Sequence, residues 1–159
     1  MIFITLGSQK FQFNRILIAV DELLDKKVIS DEVFAQIGYS DYRPKNYKFK
    51  KFLNYDEFKK MEEKADIILT HGGTGAIIGA IKQGKKVIAV PRLAKYGEHV
   101  DNHQIQLIEQ FKTQNLIYGL KNCGELKDAL NYIKNHDFNI YKSNTNLIID
   151  SIEKFINEH

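Results

Sequence analysis

Two rhythms of apolar residues run along this chain, and their succession sets the expected fold. Ile2, Phe3, Ile4, Thr5 and Leu6 form a β-branched and aromatic run that stops at Gly7 and Ser8, a buried strand entering a turn. Ile16, Leu17, Val20, Leu23 and Leu24 then recur at helical spacing and predict an amphipathic helix over residues 14–27. A second strand is expected over residues 33–38. Residues 47–53 alternate aromatic or apolar side chains with lysines, as a half-exposed third strand would. After a short helix over residues 56–64, the apolar run Asp66 to Thr70 reads as a strand. It is followed by His71-Gly72-Gly73-Thr74-Gly75 and a helix to Gln83, with Gly84 at its C-cap. Residues 86–90 give the next strand, ended by Pro91. Beyond a polar loop, helix is expected over residues 101–111, strand over 116–118 and helix over 125–134. A terminal amphipathic helix carries Leu147, Ile148, Ile152, Phe155 and Ile156. Strands alternating with helices predict an α/β fold, a parallel sheet covered on both faces in a right-handed Rossmann-like arrangement.

No repeat, low-complexity tract or linker interrupts this order, and 159 residues suit one core, so a single domain over residues 1–159 is expected. Hydrophobic residues at 43%, charged residues at 27% and only two prolines exclude a disordered or fibrous chain. The formal charge of +3 fits an anionic ligand without demanding nucleic acid. Cys123 stands alone, so no internal disulfide is possible, and no charged-then-apolar leader opens the sequence; the cytosol is the expected compartment. No apolar run approaches the roughly 20 residues that span a bilayer, so membrane contact is expected to be peripheral or through a partner.

The junction from Thr70 to Gly75 is where chemistry is most legible. Glycines between a buried strand and a helix let the backbone approach a bulky anion, and the N–H groups and positive end of the helix stabilise phosphate charge. The same glycines also serve a tight turn with no ligand, and the local sequence leaves both roles open. His71 stands at the carboxyl end of its strand, able either to cap the turn or to donate a hydrogen bond to a departing oxygen. Further on, Glu98-His99-Val100-Asp101-Asn102-His103-Gln104 gathers carboxylate and amide groups that can hydrogen-bond sugar hydroxyls, although Asp101 or Asn102 can equally cap the helix. His99 and His103 share i, i+4 spacing, but a zinc site needs a third protein ligand and none is evident, so no metal is expected. Lys45, Lys48, Lys50 and Lys51, interleaved with Tyr47, Phe49 and Phe52, are read as the solvated face of an edge strand rather than a nucleic-acid surface.

Four segments agree in order: the strand ending at Gly7-Ser8, residues 65–75, residues 84–91, and Asp101-Asn102-His103-Gln104. Together they resemble the C-terminal domain of glycosyltransferase family 28 over nearly the whole chain. The likeness is greatest to the small catalytic subunits of split enzymes, such as the bacterial exopolysaccharide or capsule galactosyltransferase subunit and the dolichol-pathway N-acetylglucosaminyltransferase subunit. The resemblance implies the second Rossmann-like domain of a GT-B transferase, with a UDP-sugar donor on this half. It further implies a lipid-linked saccharide acceptor held by a membrane-associated partner, recruitment to the cytoplasmic face of a membrane through that partner, and inverting transfer without a cofactor or essential metal.

Carried onto matching positions, Gly7 and Ser8 border the cleft; His71, as the catalytic residue, with Gly72, Gly73, Thr74 and Gly75, holds the diphosphate; Asp101, Asn102 and Gln104 contact the donor sugar or adjacent phosphate, with His103 nearby. One position departs from the pattern: family members commonly carry an acidic residue for the ribose hydroxyls where this chain has Gly79. No general base is evident, which leaves deprotonation of the acceptor to the partner. Galactose is the first expectation for the sugar, N-acetylglucosamine the other. The rivals are a non-catalytic stabilising subunit and an unrelated adenine-nucleotide module, and the isolated chain is able to bury its partner surface in a homodimer.

Overall fold

The computed structural model describes residues 1–142 and 145–158, with the side chains of residues 145–148 outside the described set. Six parallel strands form one sheet: β1 (Ile2–Thr5), β2 (Val33–Gln36), β3 (Lys48–Lys50), β4 (Ile67–His71), β5 (Lys86–Val90) and β6 (Tyr118–Gly119). Their order across the sheet is β3-β2-β1-β4-β5-β6. The chain works outward from β1 in one direction, then returns to β1's other side and works outward again. The carboxyl ends of β1 and β4 therefore flank the crevice where an open α/β sheet collects ligands. Thr5 pairs with Thr70 across that crevice, and Thr70 Oγ1 donates to the Thr5 carbonyl at 2.9 Å.

Strand side chains alternate between two apolar layers, as a period of two requires. Ile2, Ile4, Ile67, Leu69, Ile88 and Val90 face α1 (Asn14–Asp25) and α5 (Leu126–Ile133). Phe3, Ile68, Val87 and Ala89 face α3 (Thr74–Lys82), α4 (Gln104–Thr113) and α6 (Thr145–Glu158), with Phe58 and Met61 of α2 (Tyr55–Lys64) at the margin. Ile152 on α6 is buried in this second layer as its spacing predicts; the side chains of Leu147 and Ile148 lie outside the described residues.

The elements follow the expected order, with ends moved for identifiable reasons. The third strand shrinks to β3, whose Lys48 and Lys50 project to solvent at the sheet edge. Its outer end bends away so that Leu53 N–H can donate to the buried Gln36 Oε1 at 2.9 Å. Asn54 and Glu57 form a reciprocal capping box that starts α2. Helix α3 ends in a Schellman motif: Gly84, left-handed at φ +71°, donates to Ile81 O and Lys85 to Ala80 O. The cap residue is Gln83, so Gly84, expected as the C-cap, stands one position beyond it.

Loop 39–47 is held by one carboxylate. Asp21 is 3% exposed and accepts from Tyr42 Oη, Lys45 N, Asn46 N and Asn46 Nδ2. Burial alone would raise this carboxyl; the bonds from Lys45, Tyr42 and Asn46 outweigh it and hold it below the usual range. Asp21→Ala strands these donors, and we expect a loss of about 2–4 kcal/mol in urea unfolding, with m unchanged.

Candidate functional site

Strand β4 delivers His71 to the carboxyl edge, and the turn after it is fastened by side chains. Gly73 N–H donates to His71 Nδ1 at 2.9 Å, and Gly72 N–H donates to Gln104 Oε1 at 3.0 Å. Two amides of the glycine turn are therefore engaged within the protein. Those left to face a ligand are Thr74, Gly75 and Ala76, the first residues of α3, which have no carbonyl one turn earlier in the helix to bond. No atom lies within 4 Å of a Cβ placed on Gly75, so the backbone there is open on its outer side. A run of exposed N–H groups at a helix N-terminus is suited to an anion.

The closest approaches explain the glycines. A Cβ on Gly7, which is left-handed at φ +72°, would lie 2.9 Å from His71 Nε2, and one on Gly73 would collide with the same ring. The imidazole is thus clasped between the end of β1 and the start of α3. Because Nδ1 accepts from Gly73, the ring proton belongs on Nε2. Burial, then the nearby Arg92 and His99, lower His71 to about 4, so the ring is neutral at physiological pH.

Behind the turn lies a charge network spread along the whole sequence. Arg92 is 1% exposed; its Nη2 donates to Leu6 O at 2.5 Å and its Nη1 reaches the carbonyls of Phe11, Gln12 and Glu98. Burial draws Arg92 down to about 10 while Glu98 pulls the other way, so it remains a cation. Glu98 is also sealed, gripped by Arg15 at 2.6 and 3.1 Å and by Leu93 N–H at 2.9 Å. This corrects the grouping of Glu98 with possible sugar ligands, since its carboxylate has no open side.

The expected start of α4 also moves, from Asp101 to Gln104, because neither candidate cap caps it. Asp101 Oδ1 accepts His103 N–H at 3.0 Å, and Asn102 Oδ1 reaches back to Ala94 N–H at 2.9 Å, pinning the preceding loop. His103 Nδ1 bonds Asp101 directly, and with His99 these groups bring ligand atoms within 4.8 Å of one another; Asp101 is the third group that spacing alone left unidentified.

The site residues open on two cavities. Gly7, Ser8 and Gly75 line a cleft of about 560 Å³ whose floor is Phe3, Phe58 and Ile68 and whose rim includes Gln36, Tyr55, Lys59, Glu62 and Gln83. Asp101, Asn102 and His103 line another of about 480 Å³, with Gln106, Phe155 and Ile156. Gln104 lines neither cavity: it is buried, its Oε1 accepts from both Gly72 N–H and Arg92 N–H, and its Nε2 is 3.5 Å from His71 Nδ1.

The model of the glycosyltransferase family 28 C-terminal domain matches residues 1–158. The chain belongs to this family. It is 31% identical over 119 residues to the UDP-N-acetylglucosamine transferase subunit ALG13 of Kluyveromyces lactis, a match covering 74% of this chain and 52% of that protein. The ALG13 subunit of Candida glabrata is 31% identical over 87 residues, covering 54% of this chain and 42% of that protein. The chain thus spans about half the length of the curated relatives it matches. Among solved structures it resembles CalG4, the calicheamicin glycosyltransferase, at TM-score 0.60 and 18% identity over 99% of this chain and 38% of that one. It also resembles MurG of Acinetobacter baumannii, at TM-score 0.57 and 16% identity over 83% of this chain and 41% of that one. The likeness to these structures is one of fold.

In this family 28 domain the sequence points to the glycine turn through its local composition, whereas Arg15, Arg92 and Glu62 carry no local signature. Only contacts across the fold reveal them. Arg92→Met leaves four carbonyls on two loops unpaired and removes a buried cation beside Glu98; we expect a loss of about 3–5 kcal/mol in urea unfolding.

The neutral state of His71 has a measurable consequence. Its folded pKa of about 4 lies below the ordinary value of 6.5, so the unfolded chain binds the proton more readily between these limits. The stability this contributes is fully present above about pH 6.5 and is lost as pH falls through about 4. In urea titrations, His71→Asn is expected to flatten stability against pH across that window.

Proposed function

We propose that this chain is the UDP-sugar-binding half of an inverting hexosyltransferase. It transfers N-acetylglucosamine or galactose to a lipid-linked saccharide in exopolysaccharide, capsule or glycolipid synthesis. A membrane-associated partner supplies the acceptor-binding half and recruits the chain to the cytoplasmic face of the membrane. The observation that carries the reading is the open N-terminus of α3 at the crevice between β1 and β4, beside a cleft large enough for a nucleoside. Membership of family 28 and the names of the ALG13 relatives, each a UDP-N-acetylglucosamine transferase subunit, support a uridine donor. Among the described residues no helix is long and apolar enough to cross a membrane, which is consistent with docking through a partner. Tyr39, Phe52, Tyr55, Tyr96 and Val100, large and exposed around the carboxyl edge of the sheet, give that partner an apolar rim to cover.

In the proposed reaction the acceptor hydroxyl attacks the anomeric carbon as the bond to the UDP oxygen breaks, with inversion. The acceptor proton passes to a base on the partner, and the charge left on the diphosphate is met by the amides of Thr74, Gly75 and Ala76 and the positive end of α3. These groups replace the charge neutralisation a metal would supply, so EDTA is expected to leave transfer unchanged. His71 acts as a positioning residue, its Nδ1 holding the Gly73 amide and its ring setting the spacing to Gly7. Asp101 and Asn102 serve the sugar end, with His103 oriented by Asp101, while the buried Gln104 acts through the Gly72 amide it holds rather than by touching the sugar.

Calorimetric titration with UDP, UDP-N-acetylglucosamine, UDP-galactose and ATP tests donor binding: uridine nucleotides are expected to bind in preference to ATP and more tightly with the partner present. No uridine binding in either state would sink the proposal. In the reconstituted pair, His71→Ala is expected to lower kcat by about 10- to 100-fold. Asn at this position, whose Oδ1 can accept from Gly73, should restore much of the rate; an Asn variant as slow as Ala would instead assign the work to the Nε2 proton.

A further inference from the structure

The cleft beside α3 contains a buried carboxylate with one side open. Glu62, on α2, is 8% exposed, and its Oε2 accepts from Gln83 Nε2 at 2.6 Å. Its Oε1 faces α3 where that helix carries no side chain: the atom nearest a Cβ placed on Gly79 is Glu62 Oε1, at 4.0 Å. Gly79 and Glu62 both line the cleft, so the absent side chain leaves the carboxylate accessible from it. Gly79 also follows Gly75 at i, i+4 on the same face of α3, about 6 Å along the axis from the anion-facing amides.

A ligand anchored by phosphate at the start of α3 and lying along this face would bring its next group to Glu62. An ionised carboxylate only accepts hydrogen bonds, and one of its oxygens is already engaged by Gln83. The complementary group is a hydroxyl donor held within one sugar of the phosphates. We propose that Glu62 binds the ribose hydroxyls of the donor nucleotide, reaching across from α2 into the space that Gly79 leaves open. Phe58 and Tyr55, one turn apart on α2, line the same cleft and offer aromatic surface beside this contact.

The proposal rests on the donor-binding reading above, and the experiment separates the two. Affinities for UDP, 2′-deoxy-UDP and 3′-deoxy-UDP are measured by calorimetry on the full chain, with its partner if the partner tightens binding. The variants are Glu62→Gln, Glu62→Ala and the double substitution Glu62→Ala with Gly79→Glu. The intact chain is expected to prefer UDP over at least one deoxy analogue by about tenfold, the factor a hydroxyl bonded to a charged acceptor provides. Glu62→Gln should reduce that preference and Glu62→Ala bring it close to one, while affinity for the deoxy analogue stays at the wild-type level. That unchanged affinity shows that the cleft is still formed without the bond to Gln83. In the double variant a carboxylate grown from α3 reaches the same space, and the preference should return. A Glu62→Ala protein that binds UDP with wild-type discrimination overturns this assignment alone; a wild-type chain that binds no UDP overturns it together with the donor-binding reading.

Discussion

The carbonyls of Leu6, Phe11, Gln12 and Glu98 converge on the guanidinium of Arg92, and the site hangs on that convergence. Leu6 precedes Gly7, Phe11 and Gln12 lead into α1, and Glu98 lies in the loop before α4. One side chain therefore ties the loops after β1 and β5 to each other. The backbone of the same residue extends the tie: Arg92 N–H and Gly72 N–H share Gln104 Oε1, which joins the start of α4 to the turn after β4. From Gly72 the path runs through His71 to Gly7, one residue beyond the carbonyl on which Arg92 closes. The crevice between β1 and β4 is framed by a closed ring of contacts, so its glycine turn is fixed before any ligand arrives.

Such a ring carries a cost, because a cation sealed from water loses hydration that backbone dipoles must replace. Four carbonyls and the nearby Glu98 offset it here. Glu98 in turn is neutralised by Arg15 at the protein's partly exposed margin, and Arg15 Nη2 also donates to Pro91 O. The same surroundings act on His71: burial first, and then the positive Arg92 nearby, make a second cation unfavourable, and the ring stays neutral with Nδ1 available to Gly73. The charge that stiffens the loops thus adds to burial in keeping the His71 ring neutral, the state on which the glycine turn depends.

How much of this could be read from the chain follows from how far each interaction reaches. The strands and their parallel sense were legible because β-branched runs alternate with amphipathic spacing, whereas the strand order that opens the crevice between β1 and β4 is set by pairings distant in sequence. The His71 to Gly75 turn was legible because its glycines, strand and helix are neighbours in sequence. Arg92 was not, since its partners lie up to 86 residues away and its own neighbourhood reads as a polar loop. Asp101 and Asn102 look like helix caps to a local reading, yet their oxygens are taken by His103 and Ala94, which starts α4 later. Glu62 looks like one more charge on a charged helix until the fold sets it opposite a glycine on another.

The two cavities differ in the chemistry they offer. The cleft bordered by Gly75, Gly79 and Glu62 has an apolar floor and a rim of hydrogen-bonding side chains, fitting a ligand portion that needs both apolar contact and orientation. In the other, Asp101, Asn102 and His103 present closely spaced donors and acceptors beside Phe155 and Ile156, fitting a hydroxyl-rich portion. The amides of Gly75 and Ala76 open onto the first cleft, where an anionic group would meet them. The proposed donor, made of a nucleoside, a diphosphate and a sugar, calls for these three chemistries. The direction is imposed by the protein: only one end of α3 exposes N–H groups, and the ring of contacts through Arg92 keeps that end at the crevice.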